Sequence, residues 1–218
     1  MSTYAIIDTE TTGLDAPIKP VEVAWVIIDA ELNVLDQHVQ RVNPLRPINP
    51  GAIAIHGISD NDVAFCPGII DVMGLLPQPF AAIGHNVGFD LRVLGPYIQY
   101  NADLCTLALS RRWVKGTSNY KLSTLQAELK LPAQKSHSAL GDCLTVLDLL
   151  KVIVNASGRN LPQLIELESV PKMIQKMPWG MHQGKLLTDV PRAYRSWLLD
   201  LPDLHKDLRY TLEKMIIV

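Results

Sequence analysis

A chain of 218 residues has room for one good-sized α/β domain and a small appendage. Its 48% hydrophobic and 19% charged residues exclude a disordered chain, and no apolar run approaches the roughly 20 residues of a membrane span, so no membrane association is expected. The net charge of −2 hides an asymmetry: residues 1–170 carry 12 Lys and Arg against 17 Asp and Glu, whereas residues 171–218 carry 8 against 5.

The first predicted element is a buried strand over residues 3–8, and it runs straight into acids in "YAIIDTETTGL" (4–14). In an extended strand residues i and i+2 share a face, so Asp8 and Glu10 sit side by side. Two bare carboxylates that close repel, and a divalent cation removes the penalty; a strand ending in a polar turn, with Asp8 as a cap, is the alternative. "VEVAWVIID" (21–29) and "VLDQHVQRV" (34–42) read as two further strands, joined by a hairpin turn at "AELN" and therefore antiparallel. Residues 43–67, rich in Pro, Gly and Asn, are expected to hold short helices. "FAAIGHN" (80–86) reads as a fourth strand, followed by a helix over about 88–99, and "ADLCT" (102–106) as a fifth, feeding a helix through "LALSRRW". Helical spacing marks "KLSTLQAEL" (121–129) and residues 138–156, where Leu140, Leu144, Leu147 and Leu150 or Lys151 fall on one stripe. Three strands in succession, then alternating helices and strands, predict a mixed sheet flanked by helices. "NASGRNLP" (155–162) is the best boundary signal, giving a domain over 1–157, a linker over 158–176 and a module over 177–218. The opening residues lack the pattern of a signal peptide, and the scattered Cys66, Cys105 and Cys143 have no zinc spacing; a cytoplasmic location is expected.

Two later stretches carry further acids. In "HNVGFD" (85–90), Asp90 falls in the first turn of a helix, where a carboxylate is favoured by the dipole, and Phe89 beside it reads as core. In "SHSALGDC" (136–143), His137 and Asp142 are five residues apart, about 140° around an ideal helix. They can meet only if His137 lies in the loop before the helix and Asp142 within it. Each motif alone has a bland reading: a cap for Asp90, an exposed loop residue for His137.

Together, Asp-x-Glu at a first strand's end, His-x-x-x-Phe-Asp at a helix start and His-x-x-x-x-Asp before the domain's end resemble the DEDD family of 3′–5′ exonucleases, in its histidine-bearing branch (DEDDh). The resemblance covers roughly residues 3–155. The tyrosine-bearing branch would need Tyr four residues before the last Asp, and that position is Ser138. The resemblance implies a ribonuclease-H-like mixed five-stranded sheet and two Mg²⁺ or Mn²⁺ ions. Two such ions, spaced about 3.5–4 Å apart, would activate the nucleophile, shield the phosphate and help the departing 3′ oxygen. Asp8, Glu10 and Asp142 would hold one ion, Asp8 would bridge to the second, and Asp90 would support that one directly or through water. His137 would be the general base, its ordinary pKa near 6.5 suiting neutral pH. The backbone at Thr11, Thr12 and Gly13 would approach the 3′-terminal sugar. Leu14 would press on the terminal base or pack in the core, with neither reading favoured. His85 and Asn86 would line the site, although His85 also suits a satisfied buried histidine, and Phe89 is kept among the substrate-contacting candidates.

The stretch 177–201 is similar to the C-terminal segment of exonuclease-X-type bacterial enzymes, through Trp179, Gly180, Gly184, Lys185, Tyr194, Trp197 and Leu198. Its aromatics are expected to form the small core that such a module needs, with stacking on bases as the second reading. The expected activity is cleavage of DNA 3′ ends to nucleoside 5′-monophosphates by a free-standing enzyme of repair or end trimming. A polymerase's proofreading subunit, an RNA-trimming enzyme and a homodimer stay open.

Overall fold

The computed structural model describes residues 2–134, 137–201 and 204–216. The chain divides into two compact units, residues 1–167 and 168–218. In the first, β1 (Tyr4–Thr11), β2 (Pro20–Ile28) and β3 (Val34–Arg41) are followed by the short helices α1 (Pro50–His56), α2 (Asp60–Val63) and α3 (Ile69–Met73). Next come β4 (Ala81–Gly84), α4 (Gly88–Leu94), β5 (Ala102–Cys105), α5 (Thr106–Trp113), α6 (Leu122–Glu128), α7 (Ala139–Ser157) and α8 (Leu161–Ser169). The sheet order is β3-β2-β1-β4-β5, with β1–β2 and β2–β3 antiparallel and β1–β4 and β4–β5 parallel. This is the mixed five-stranded sheet expected. No helix among the described residues is long and apolar enough to cross a membrane.

The pleat of β1 assigns the two faces. Tyr4 and Ile6 join a core with Leu109 of α5, Leu125 of α6 and Val146, Leu147 and Leu150 of α7. Ala5 and Ile7 join another with Val72 and Met73 of α3 and Val93 and Leu94 of α4. Asp8 and Glu10 therefore continue the α7 side of the strand, and Thr9 and Thr11 the α4 side. Helix α4 stops at Leu94, short of the expected 99, because Gly95 and Pro96 divert the chain into a single 3₁₀ turn. Along α7 the buried face runs Ala139, Cys143, Val146, Leu150 and Ile153. Leu140 and Leu144 of the expected stripe are only partly buried beside it, and Lys151 is exposed.

The expected linker over 158–176 needs correction. Gly158, at φ 64°, ends α7 by donating its N–H to the Val154 carbonyl (3.1 Å). Asn160 and Gln163 then exchange side-chain and backbone hydrogen bonds (3.0 and 3.1 Å), a capping box that starts α8. Leu161, Leu164 and Ile165 of α8 are buried in the α7-side core. The signal read as a domain boundary is a helix stop followed by a helix start.

The second unit contains a 3₁₀ turn (Leu187–Asp189), α9 (Arg192–Leu199) and α10 (Lys206–Ile216). Its core is aliphatic: Met177, Leu187, Val190, Leu198, Leu204, Leu208 and Leu212. The expected aromatic core is not formed, since Trp179 and Trp197 are 39% and 50% exposed and only Tyr194 packs against the cluster.

Candidate active site

The C-terminal end of β1 brings Asp8 and Glu10 to the face crossed by the start of α7, and α7 contributes Asp142 from its first turn. One carboxylate oxygen from each of the three lies within 4.8 Å of the others. Glu22, directly opposite Glu10 in the β1–β2 register, holds the helix there: its Oε1 accepts the Ala139 N–H at 3.0 Å. That N–H is one of the donors that a helix start leaves without an intrahelical partner. Asp90 enters from the first turn of α4, is buried, and accepts a 2.7 Å hydrogen bond from Thr9 Oγ1.

The electrostatics follow from that crowding. Burial pushes the Asp8 carboxyl well above its ordinary range, and Asp90, Asp142, Glu10 and Glu22 push it further. Glu10 is raised to about 7, by burial and then by Asp142, Glu22 and Asp90. Asp90 is raised to about 7 by burial, against the pull of the Thr9 hydroxyl. Asp142 is raised by burial and eased by the His137 side chain and backbone N–H. No Lys or Arg pairs with these acids among the described residues. Three converging carboxylates, with the buried Asp90 carboxyl acting on Asp8 and no Lys or Arg to neutralise them among the described residues, suit Mg²⁺ or Mn²⁺ and not a soft metal. Cys143 is no thiolate ligand: its buried thiol is held protonated and points to the Ile6 and Ala24 carbonyls.

His137 lies exposed in the loop before α7, at φ 56°, two residues ahead of the helix that carries Asp142. The five-residue spacing is met as the sequence required, by a loop residue beside a helical one.

The candidate substrate residues divide. Thr11 and Thr12 are buried and fully engaged. The Thr11 carbonyl accepts from His56 Nε2 (3.1 Å), the Thr12 carbonyl accepts the Asn49 N–H (2.9 Å), and the Thr12 N–H reaches the Lys19 carbonyl (2.8 Å). Because Ile58 N–H donates to His56 Nδ1 (3.0 Å), the His56 proton sits on Nε2. Gly13, at φ 130°, packs so close to Asn49 that a Cβ there would lie 3.1 Å from Asn49 Cβ. These contacts pin the loop and turn Leu14 outward, 80% exposed, so its core reading falls. Leu14 lines a cavity of about 410 Å³ with Glu10, Gly13, Ala52, Ile55 and His56.

On the other strand end, His85 is a satisfied, half-buried histidine. Its Nε2 lies 2.8 Å from the Tyr120 carbonyl and its Nδ1 3.0 Å from Thr106 Oγ1, so both ring nitrogens are used inside the fold, and burial lowers its pKa. Its expected role as a polar liner is corrected to one of bracing β4 against the start of α5. Asn86 is exposed with φ 70°, and Phe89 is half-buried against the α4-side core beneath the Arg92 guanidinium. Glu22, His56, Ile55 and Thr9 were not among the expected site residues. Only Glu22 left a trace, as a lone acid inside an apolar strand.

The sequence profile of the RNase_T exonucleases matches residues 5–150. The chain is 36% identical over 225 residues to exodeoxyribonuclease 10 of Escherichia coli (strain K12), covering 95% of this chain and 96% of that protein. It is 27% identical over 178 residues to the PolC-type DNA polymerase III of Bacillus subtilis (strain 168), covering 76% of this chain and 12% of the polymerase. Among solved structures it is similar to exonuclease X in complex with 5′ overhanging duplex DNA, with a TM-score of 0.67 and 36% identity over 75% of this chain and 98% of that one. The carboxylate cluster on the mixed sheet and this end-to-end likeness agree: the chain belongs to the RNase_T family of exonucleases.

Proposed function

We propose that this 3′–5′ exonuclease hydrolyses DNA to nucleoside 5′-monophosphates as a free-standing enzyme, with two Mg²⁺ or Mn²⁺ ions held by Asp8, Glu10, Asp90 and Asp142. The observation that carries the reading is the convergence of Asp8, Glu10 and Asp142 oxygens within 4.8 Å, with no Lys or Arg partner among the described residues. Bound divalent cations would offset the carboxylate repulsion and shield the charge that builds on the phosphate and the departing 3′ oxygen. His137 takes a proton from the attacking water on an imidazole nitrogen, and the Asp142 carboxylate beside it stabilises the imidazolium that results. The cavity beside Glu10 receives the terminal nucleoside, with Leu14 and Ile55 as apolar contacts for the base and the pinned Thr11–Gly13 backbone beside the sugar. Alignment along the whole of a DNA exonuclease, against a short part of a polymerase, favours an independent enzyme over a proofreading subunit. The DNA named for the similar structure favours DNA over RNA.

The test is a panel of 3′- and 5′-labelled DNA and RNA oligomers, single-stranded and duplex. Stepwise loss of nucleotides from DNA 3′ ends is expected in Mg²⁺ or Mn²⁺ and none in EDTA or Ca²⁺. Full activity in excess EDTA would remove the mechanism, and faster digestion of RNA would remove the substrate assignment.

A further inference from the structure

The second unit leaves its largest aromatic side chains outside its core. Trp197 is 50% exposed and Trp179 is 39% exposed, although seven buried aliphatic residues close the core without them. Their surroundings hold them in place. The segment from Gln175 to Leu187 folds back on itself: Met177 N–H donates to the Lys185 carbonyl (2.8 Å), Gly184 N–H to the Met177 carbonyl (2.8 Å) and Leu187 N–H to the Gln175 carbonyl (2.9 Å). Gly180 and Gly184, at φ 80° and 81°, make its two reversals. The tip of this loop packs on α9. His182 meets Tyr194 edge-on with centroids 4.7 Å apart, and a Cβ on Gly180 would lie 3.2 Å from the Tyr194 hydroxyl. Tyr194 in turn packs against Trp197 at 5.2 Å. Trp179, next to Gly180, and Trp197, on α9, are thus carried on a braced loop and helix, with ring surface open to solvent.

The same two elements carry cations. Lys176, Lys185 and Arg192 are exposed, and none has an ion-pair partner among the described residues. Asp189, in the turn between Lys185 and Arg192, accepts a hydrogen bond from the Thr188 hydroxyl (3.2 Å) and pairs with none of the three. Part-exposed aromatic rings and unpaired cations carried on the same braced loop and helix are the combination that holds single-stranded nucleic acid. Each base offers a face for stacking, and each phosphate a charge. A duplex keeps its base faces stacked and closed, so it cannot use the tryptophans. A protein partner would be served by the apolar surface but gives no reason for unpaired cations along its edge.

We infer that the loop 175–187 and helix α9 form a second nucleic-acid-binding surface that takes single-stranded DNA, stacking bases on Trp179 and Trp197 and meeting phosphates with Lys176, Lys185 and Arg192. The inference rests on the nucleic-acid reading above but uses none of its carboxylate residues.

The experiment is anisotropy of a fluorescein-labelled oligothymidylate with full-length Asp8→Ala protein in EDTA, across a salt series. Trp179→Ala and Trp197→Ala are each expected to weaken binding roughly 5-fold or more, the usual worth of one stacked base. Lys185→Gln with Arg192→Gln should flatten the slope of log K against log salt by about 0.7 for each phosphate no longer neutralised. Should a tryptophan variant melt early, the salt slope of the charge variant decides. Unchanged affinity and slope in all variants would overturn the surface. Hydrolysis of the p-nitrophenyl ester of thymidine 5′-monophosphate by the protein with Asp8 intact tests the carboxylate site by itself, so failure of that reading and failure of this one are told apart.

Discussion

Asp8, Glu10, Asp90 and Asp142 repel one another in a cleft that burial has already made unfavourable for charge, and every one of their pKa values is raised. The sign of the consequence is set by linkage. A carboxyl with a raised folded-state pKa keeps a proton that the unfolded chain sheds, so its contribution to stability is complete below the ordinary carboxylate range. That contribution is lost as pH rises through the folded value, about 7 for Glu10 and Asp90. In EDTA, Glu10→Gln should therefore melt higher than the parent at pH 8, and the gap should close towards pH 5. A parent that outlasts the variant at pH 8 in EDTA would contradict this account of the cluster. Mg²⁺ should reverse the order, because only the parent has its full set of ligands. His137 obeys different rules, being exposed and outside the oxygen cluster. His137→Ala should lower turnover by roughly 10²–10⁴, the worth of a general base. Its Mn²⁺ affinity, read by calorimetry, should stay near that of the parent, and a loss as large as that of Asp142→Ala would reassign the histidine as a ligand.

Among the elements, α7 does most to assemble the site, and its start is anchored by a residue 117 positions earlier. Glu22 accepts the Ala139 N–H, which sets where Asp142 and the preceding His137 stand relative to β1. Glu22→Gln keeps an oxygen acceptor at that position and should retain most of the turnover, whereas Glu22→Ala should lose it with little change in KM for a short single strand. Equal losses in the two variants would mean that the charge of Glu22 matters, not its hydrogen bond. Glu22 also marks how far local pattern carries. The acids of β1, the helix-start Asp90 and the loop-then-helix arrangement of His137 and Asp142 are all legible, because each depends on a few neighbouring residues and a known period. The role of Glu22 comes from the register that sets it opposite Glu10, and from a helix distant in sequence, so its neighbours in the chain mark it only as a lone acid in an apolar strand and not as the anchor of α7. His56 is hidden in the same way, since its Nε2 proton is fixed by Ile58 and spent on a carbonyl 45 residues earlier. Leu14 and His85 exchange the roles that composition suggests: the apolar residue faces solvent and the polar one is consumed inside. In both cases the outcome depends on what the surrounding loops pin.

For the chain as a whole, each unit has its own apolar core, and the boundary between them falls in the last turn of α8, not before that helix. Residues 155–162 read as a break because Gly and Pro punctuate them, yet the glycine is a cap for α7 and the proline sits in the first turn of α8. The distinction has a measurable consequence. Cutting after Ser157 removes Leu161, Leu164 and Ile165 from the α7-side core, each buried side chain contributing roughly 1.5–3 kcal/mol. The sum is comparable with the entire stability of a typical domain, about 5–15 kcal/mol. A fragment of residues 1–169 should therefore fold, melt in one cooperative transition and cleave short single-stranded DNA, since every assigned catalytic residue precedes Cys143. A fragment of residues 1–157 should show no such transition at the same temperature and should recover in the insoluble fraction. Circular dichroism melts of the two, run beside the nuclease assay, are the check. Equal melting of both fragments would show that α8 adds nothing to the catalytic fold and would restore the boundary at Gly158.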